Sequence, residues 1–377
     1  MEGLVTNLDV FVKLKESGSV KDSDCMSNFT KLSLKWQYNT IKYGFDGASN
    51  QSNYKQKSEK NEDDSSIFMG SLVPIKLMCG EEVVWENGTP NSTYMCRPLF
   101  LKFMKETRET ITNEMNRLES EISSLSDTLV EGKSISHKLF FTMIDGKITS
   151  VLSETSTQSC GVCKATPKEM NEINLISQKV PNTDIYKFGI SSLHAWIRFM
   201  ECILHISYRL DFQSWIAKSE NRVKLEHRKK VIQEAFKNRC GLLIDVVKQG
   251  HGTTNDGNTA RRFLADVTTT VSITGVDENL IKKFSIILET ISSGLPINTD
   301  KFKEFADQTT VLYTQLYKWY YMLASVHKIL VHGADIIENL DLIEVEKLSE
   351  EAAESRNKDF RKYREYHSRK FYRKATN

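Results

Sequence analysis

Four residues of this chain have the types and spacing of a tetrahedral metal site. Cys160 and Cys163 form its only Cys-Xaa-Xaa-Cys pair, and two thiolates at that interval can grip one cation that prefers sulfur and nitrogen. Two more ligands are needed. His327 and His332, in VHKILVHGAD, are the best candidates because their spacing suits paired zinc histidines. On a regular helix five residues turn about 500° and leave the rings about 140° apart, so the helix is expected to tighten, bulge or end there, and Gly333 permits an ending. The bland alternatives are two partly buried helix histidines and a pair of buried thiols, and a thiol-redox centre is a third use of the cysteines.

A second chemistry is that of oxygen ligands. Asp46 ends one expected strand and Asp145 another, each just before a glycine. Carboxylates on neighbouring strands could hold two divalent cations, which stabilise the attacking and leaving oxygens in phosphodiester chemistry. Taken alone, an Asp-Gly at a strand end is usually a hairpin turn. The segment from Lys358 to Lys374 interleaves Arg and Lys with Phe360, Tyr363, Tyr366, Phe371 and Tyr372. Such a mixture neutralises phosphates and stacks on bases, or it is a solvated amphipathic helix end.

These residues must be positioned by the elements around them. Alternation over Thr30 to Asp46 predicts a long strand, followed by a polar, aperiodic loop. IFMGSLVPIKLMC and EEVVWENGT predict two more strands, with Asn87-Gly88 as a turn. Phe100, Phe103, Met104, Ile111, Met115, Leu118, Ile122 and Leu125 recur at three and four residues and predict a helix from Arg97 to Leu129, with a coiled-coil seam as the competing reading. A strand running into Asp145 follows. Three strands, a helix and a fourth strand, with acids ending the first and fourth, outline an RNase H-like α/β unit. Beyond Cys163 the pattern is helical, and the loop GHGTTNDGNTARRFL enters a helix with Asn258 or Thr259 as the expected cap.

The bulk properties set limits. With 377 residues, 40% hydrophobic and 27% charged, the chain reads as a soluble protein of two or three domains. A net charge of +2 restricts any nucleic-acid surface to local patches. Seven cysteines, an odd number without regular spacing, argue for a reducing compartment and against a disulfide framework. Neither a signal peptide nor a long apolar run is present, so no membrane is expected, and glycosylation at Asn28, Asn87 and Asn91 is not expected either.

With these residues assembled, the chain resembles the catalytic core of the V(D)J recombinase, recombination-activating protein 1, and the related Transib transposases. GFDG at Gly44–Gly47 resembles the first active-site strand, NSTYMCRPLFLKFMKE the segment entering a long helix, and TMIDGKI the segment of the second aspartate. CGVCKAT and HKILVH resemble the two zinc-ligand pairs, SSLHAWIRFMEC a following block, and GNTARRFL a segment near bound DNA. ESRNKDFRKYR resembles the segment that opens on the catalytic glutamate, which selects Glu354 over Glu350 and Glu351. The resemblance implies an RNase H-like DDE nuclease core interrupted by a mostly helical zinc-binding insertion. The expected boundaries are an extension over 1–29, the core with its first two acids over 30–158, the insertion over 159–340 and the glutamate helix with basic tail over 341–377. It further implies Asp46, Asp145 and Glu354 holding two Mg²⁺ or Mn²⁺ ions, and Cys160, Cys163, His327 and His332 holding one structural Zn²⁺. Arg261, Arg262, Lys358, Arg361 and Arg364 would meet the phosphates of double-stranded DNA, with no small-molecule substrate. A homodimer on paired DNA ends and a nuclear location are implied as well. The stretch before the first strand is too short for the family's separate end-recognition domain, and the chain stops soon after the glutamate helix. A truncated or domesticated copy is therefore one expectation, and a catalytically silent zinc-containing DNA-binding or structural protein is the alternative function.

Overall fold

The computed structural model describes residues 37–48, 65–130, 132–248, 252–340 and 343–367. The amino-terminal extension, the first residues of the expected first strand, the polar loop after Ala48 and the end of the basic tail lie outside them. The chain divides into two compact units, one built from the described residues up to Ile144 and from Glu350 onward, the other from Asp145–Ser349.

The first unit is a mixed sheet covered by helices. Strand β1 (Gln37–Ala48) is its centre and pairs antiparallel with β2 (Ile67–Cys79), which pairs with β3 (Glu82–Glu86) at one end and with β4 (Arg97–Lys102) at the other. Helix α1 (Arg108–Ser123) follows, then the short β5 (Thr128–Val130) and β6 (Lys133–Phe141), which runs parallel to β1. The order is β3-β2-β1-β6-β5.

Side chains alternate across β1 and give the sheet two different faces. Tyr43 and Phe45 enter an aromatic cluster with Phe68 and Phe141, at ring separations of 5.1–5.3 Å. Lys42, Gly44 and Asp46 occupy the alternate positions. Here helix α11 (Glu351–Lys362) packs on β1 and β2. Ala352 and Ala353 let its backbone come close, and they form one buried cluster with Val73, Cys96 and Met143. Gly44 serves the same closeness, because a Cβ there would overlap the Met143 carbonyl.

Two expectations change in this unit. Residues Arg97–Lys102, expected as the start of a helix, form β4, whose ladder to β2 and ring contact of Phe100 with Phe68 at 5.9 Å outweigh the helical spacing of its apolar residues. The helix begins only after Thr107, whose capping box with Thr110 satisfies the first free N–H groups. The strand expected to deliver Asp145 ends at Phe141. Thr142 and Met143 both donate N–H to the Tyr43 carbonyl as the chain peels away from the ladder.

The second unit is helical: α2 (Gly146–Leu152), α3 (Ile173–Ile176), α4 (Ser192–Ser207), α5 (Ser219–Cys240), α6 (Gly257–Ala265), α7 (Val267–Thr274), α8 (Glu278–Ile291), α9 (Thr299–Tyr317) and α10 (Ala324–Glu338). Helix α4 is apolar almost all round, with Phe199, Met200, Ile203 and Leu204 fully buried, and it packs on α6, α8 and α10 as the axis of the unit. Asp256, not Asn258 or Thr259, caps α6, its carboxylate accepting the Thr259 N–H at 2.8 Å. Helix α10 continues through Gly333, where the ring of Phe302 from α9 takes the space a side chain would fill. The glycine permits helix–helix contact and does not end the helix. Among the described residues no helix is long and apolar enough to cross a membrane.

Candidate functional site

The cysteine pair sits on a tight turn of the second unit. Cys160 donates its N–H to the Ala165 carbonyl and accepts at its own carbonyl from Lys164, both at 2.9 Å, and Lys164 takes the left-handed conformation that closes the loop. Facing the turn is α10, carrying His327 and His332. Among the described residues, Cys160, Cys163, His327 and His332 are the group of His, Cys, Asp or Glu side chains whose ligand atoms could share an ion, all lying within 4.8 Å of one another. The four residues are between 0% and 5% exposed. Although the helix stays regular, the imidazole arms close the angular gap, leaving the two ring centroids 5.5 Å apart.

The donor set suits a cation that takes sulfur and nitrogen ligands. A tetrahedral zinc sets S and N ligand atoms roughly 3.3–3.8 Å apart, and Cys163 Sγ lies 3.4 Å from His327 Nε2. His332 Nε2 is buried with no hydrogen-bond partner, an arrangement that costs about 1–3 kcal/mol unless something accepts its lone pair. The Cys163 thiol donates to Cys160 and, with the N–H groups of Val162 and Cys163 but against burial, brings the Cys160 thiol down to about 7. The same sharing pushes Cys163 up, so the pair holds one thiolate readily. Burial keeps His327 below the usual imidazole range, in the neutral form that ligates metals. Buried thiols and imidazoles, with His327 Nδ1 and His332 Nε2 both lacking a hydrogen-bond partner, fit a structural metal ion.

The acids are placed differently. Asp46 lies near the end of β1, where Asn357 of α11 donates Nδ2–H to Asp46 Oδ2 at 2.7 Å, joining positions 311 apart in sequence. Glu354 precedes Asn357 by about one helical turn and so projects from the same side of α11; its Oε2 lies 3.7 Å from Lys358 Nζ. Arg356 fastens the helix by donating to the carbonyls of Thr93 and Cys96. A third carboxylate, Glu106, packs over Gly47, where a Cβ would collide with it. Asp145 belongs to the second unit, as the N-cap of α2, with Oδ1 accepting the Ile148 N–H at 2.8 Å.

Of the basic residues expected to meet phosphates, Arg262 and Lys358 are exposed. Arg262 also donates to the Cys240 carbonyl at 3.0 Å, and the Arg261 guanidinium lies 5.9 Å from the Trp196 ring. Arg361 is half-buried, and Arg364 is 8% exposed with its guanidinium 5.2 Å from the Phe103 ring. Sequence reasoning missed Glu106, Arg356 and Asn357. The last two stand inside the ESRNKDF segment singled out for Glu354, and the three-residue interval from Glu354 to Asn357 was the available signal.

Residues 39–155 match the family model described as the Recombination-activation protein 1 (RAG1) RNase H domain. No curated protein matches the chain.

Proposed function

Since the chain carries an RNase H-type core of the recombination-activating protein 1 and Transib kind over residues 39–155, we propose that it is a DDE-type, metal-dependent DNA endonuclease related to transposases. Asp46, Asp145 and Glu354 supply the carboxylate oxygens, a donor set suited to hard divalent cations. Two Mg²⁺ or Mn²⁺ ions, when bound, supply nucleophile activation and charge stabilisation for nicking and strand transfer. The observation that carries this reading is the 2.7 Å hydrogen bond from Asn357 to Asp46, which holds the glutamate helix against the aspartate strand. The meeting of Asp145 with these two residues is part of the proposal. So is a single Zn²⁺ on Cys160, Cys163, His327 and His332, tying the start of a helical insertion to its end. Arg261, Arg262, Lys358 and Arg361 bind DNA phosphates, while Arg364, expected among them, is buried against the Phe103 ring. A homodimer in the nucleus completes the reading by family resemblance.

One observation favours the silent alternative: the Asp145 carboxylate already has a structural occupation as a helix cap. Nicking of supercoiled plasmid in Mg²⁺ or Mn²⁺ separates the two. Asn caps a helix as well as Asp, so Asp145→Asn should melt like the parent yet nick at least about 100-fold more slowly. Equal nicking by the variant sinks the proposed site, and a folded parent that never nicks favours the silent protein.

A further inference from the structure

The polar contact between α11 and β1 has a consequence for the cation site itself. Asn357 is half-buried and stands between Glu354 and Arg361 on α11. Its Nδ2–H reaches Asp46 Oδ2 at 2.7 Å, at the short end of the range for an N–H···O bond. A carboxylate at a strand end can turn about its terminal torsion. One that accepts a fixed amide donor on one oxygen cannot turn freely. The donor is itself held firmly. Arg356, the preceding residue, hydrogen-bonds the carbonyls of Thr93 and Cys96, and Ala352 and Ala353 seat the helix on Val73, Cys96 and Met143.

We propose that Asn357 is a positioning residue for the divalent-cation site: it fixes the Asp46 carboxylate so that one oxygen faces the cation before the cation arrives. This rests on the reading of Asp46 as a cation ligand. Groups that orient metal ligands typically account for 10–100-fold in metal affinity. An amide at this position adds no charge beside Asp46. A third charge on Asp46 at hydrogen-bond distance would compete for the cation and repel Asp46 in its absence.

The test uses the full chain and Mn²⁺ alone as probe, with binding measured by calorimetry and nicking measured against Mg²⁺ concentration. Asn357→Leu removes the donor at nearly constant volume; Asn357→His restores an N–H donor. The expected result is about 10-fold weaker Mn²⁺ binding by Asn357→Leu and an equal rise in the Mg²⁺ needed for half-maximal nicking, with partial recovery in Asn357→His. A merely structural role would lower the melting temperature and the maximal rate and leave the metal dependence where it was. Parent and Asn357→Leu binding Mn²⁺ equally overturns the positioning role while leaving the acids as ligands. A parent that binds no Mn²⁺ overturns the reading of Asp46 as a ligand, and the positioning role with it.

Discussion

Removing the metal from the Cys/His group, or one of its ligands, should unfold the helical unit. Cys163 and His327 are 164 positions apart, and in the chain-entropy model a cross-link closing a loop of that length restrains the unfolded chain by about 5 kcal/mol. Exposing the apo site adds the cost of the orphaned His332 nitrogen, about 1–3 kcal/mol. The sum, roughly 6–8 kcal/mol, is comparable with the whole stability of an ordinary domain, about 5–15 kcal/mol. The assay is zinc content of the purified chain, paired with thermal melting followed by near-ultraviolet circular dichroism. Trp196, Trp215 and Trp319 all lie in this unit and report on it. One zinc per chain is expected, with loss of the cooperative transition on adding a strong chelator or in His332→Ala. Cys163→Ser should behave alike. Metal-free protein that melts cooperatively, with a transition indifferent to chelator and to both substitutions, would refute the argument and leave the four side chains as a hydrogen-bonded core cluster.

Two further outcomes follow from the sheet unit. Burial works to raise the Glu114 carboxyl, but Lys102 of β4 and Arg117 outweigh it and hold the group below the usual carboxylate range. Its contribution is therefore present above the unfolded carboxylate range and lost as pH falls through the lower folded value. Glu114→Gln should destabilise by about 1 kcal/mol near neutral pH, and denaturant midpoints of variant and parent should converge in acid. Gly44→Ala should cost about 2–3 kcal/mol by denaturant melting, since the new Cβ meets the Met143 main-chain carbonyl, which cannot swing aside as a side chain would.

What could be read from the chain beforehand depended on whether the deciding contact was local. Alternation exposed the central strand, and fixed intervals singled out CxxC and the two histidines, whose ligand atoms the structure brings within 4.8 Å of one another. The segment Arg97–Lys102 misled because Phe100 continues the apolar rhythm of the helix that follows; only the ladder to β2 and the ring of Phe68 make it a strand. Gly333 misled in another way. Its missing side chain answers to Phe302, about thirty positions earlier in the chain, and not to its own helix. Asp145 was read as the end of a strand, but the strand stops at Phe141, and the residue's place as a helix cap could not be seen until the backbone of Ile148 was placed. Glu106 carried no signal of its own, since a carboxylate in a polar connection is ordinary until the neighbouring Gly47 is placed.

The pairing of β1 with α11 also sets a timetable for biosynthesis. At about 5–20 residues per second, Asn357 leaves the ribosome roughly 15–60 s after Asp46, given the 311 positions between them. Throughout that interval the nascent sheet lacks the helix that covers Val73, Cys96 and Met143. The strand bearing Asp46 thus stays without its helix until translation has passed through all the intervening sequence.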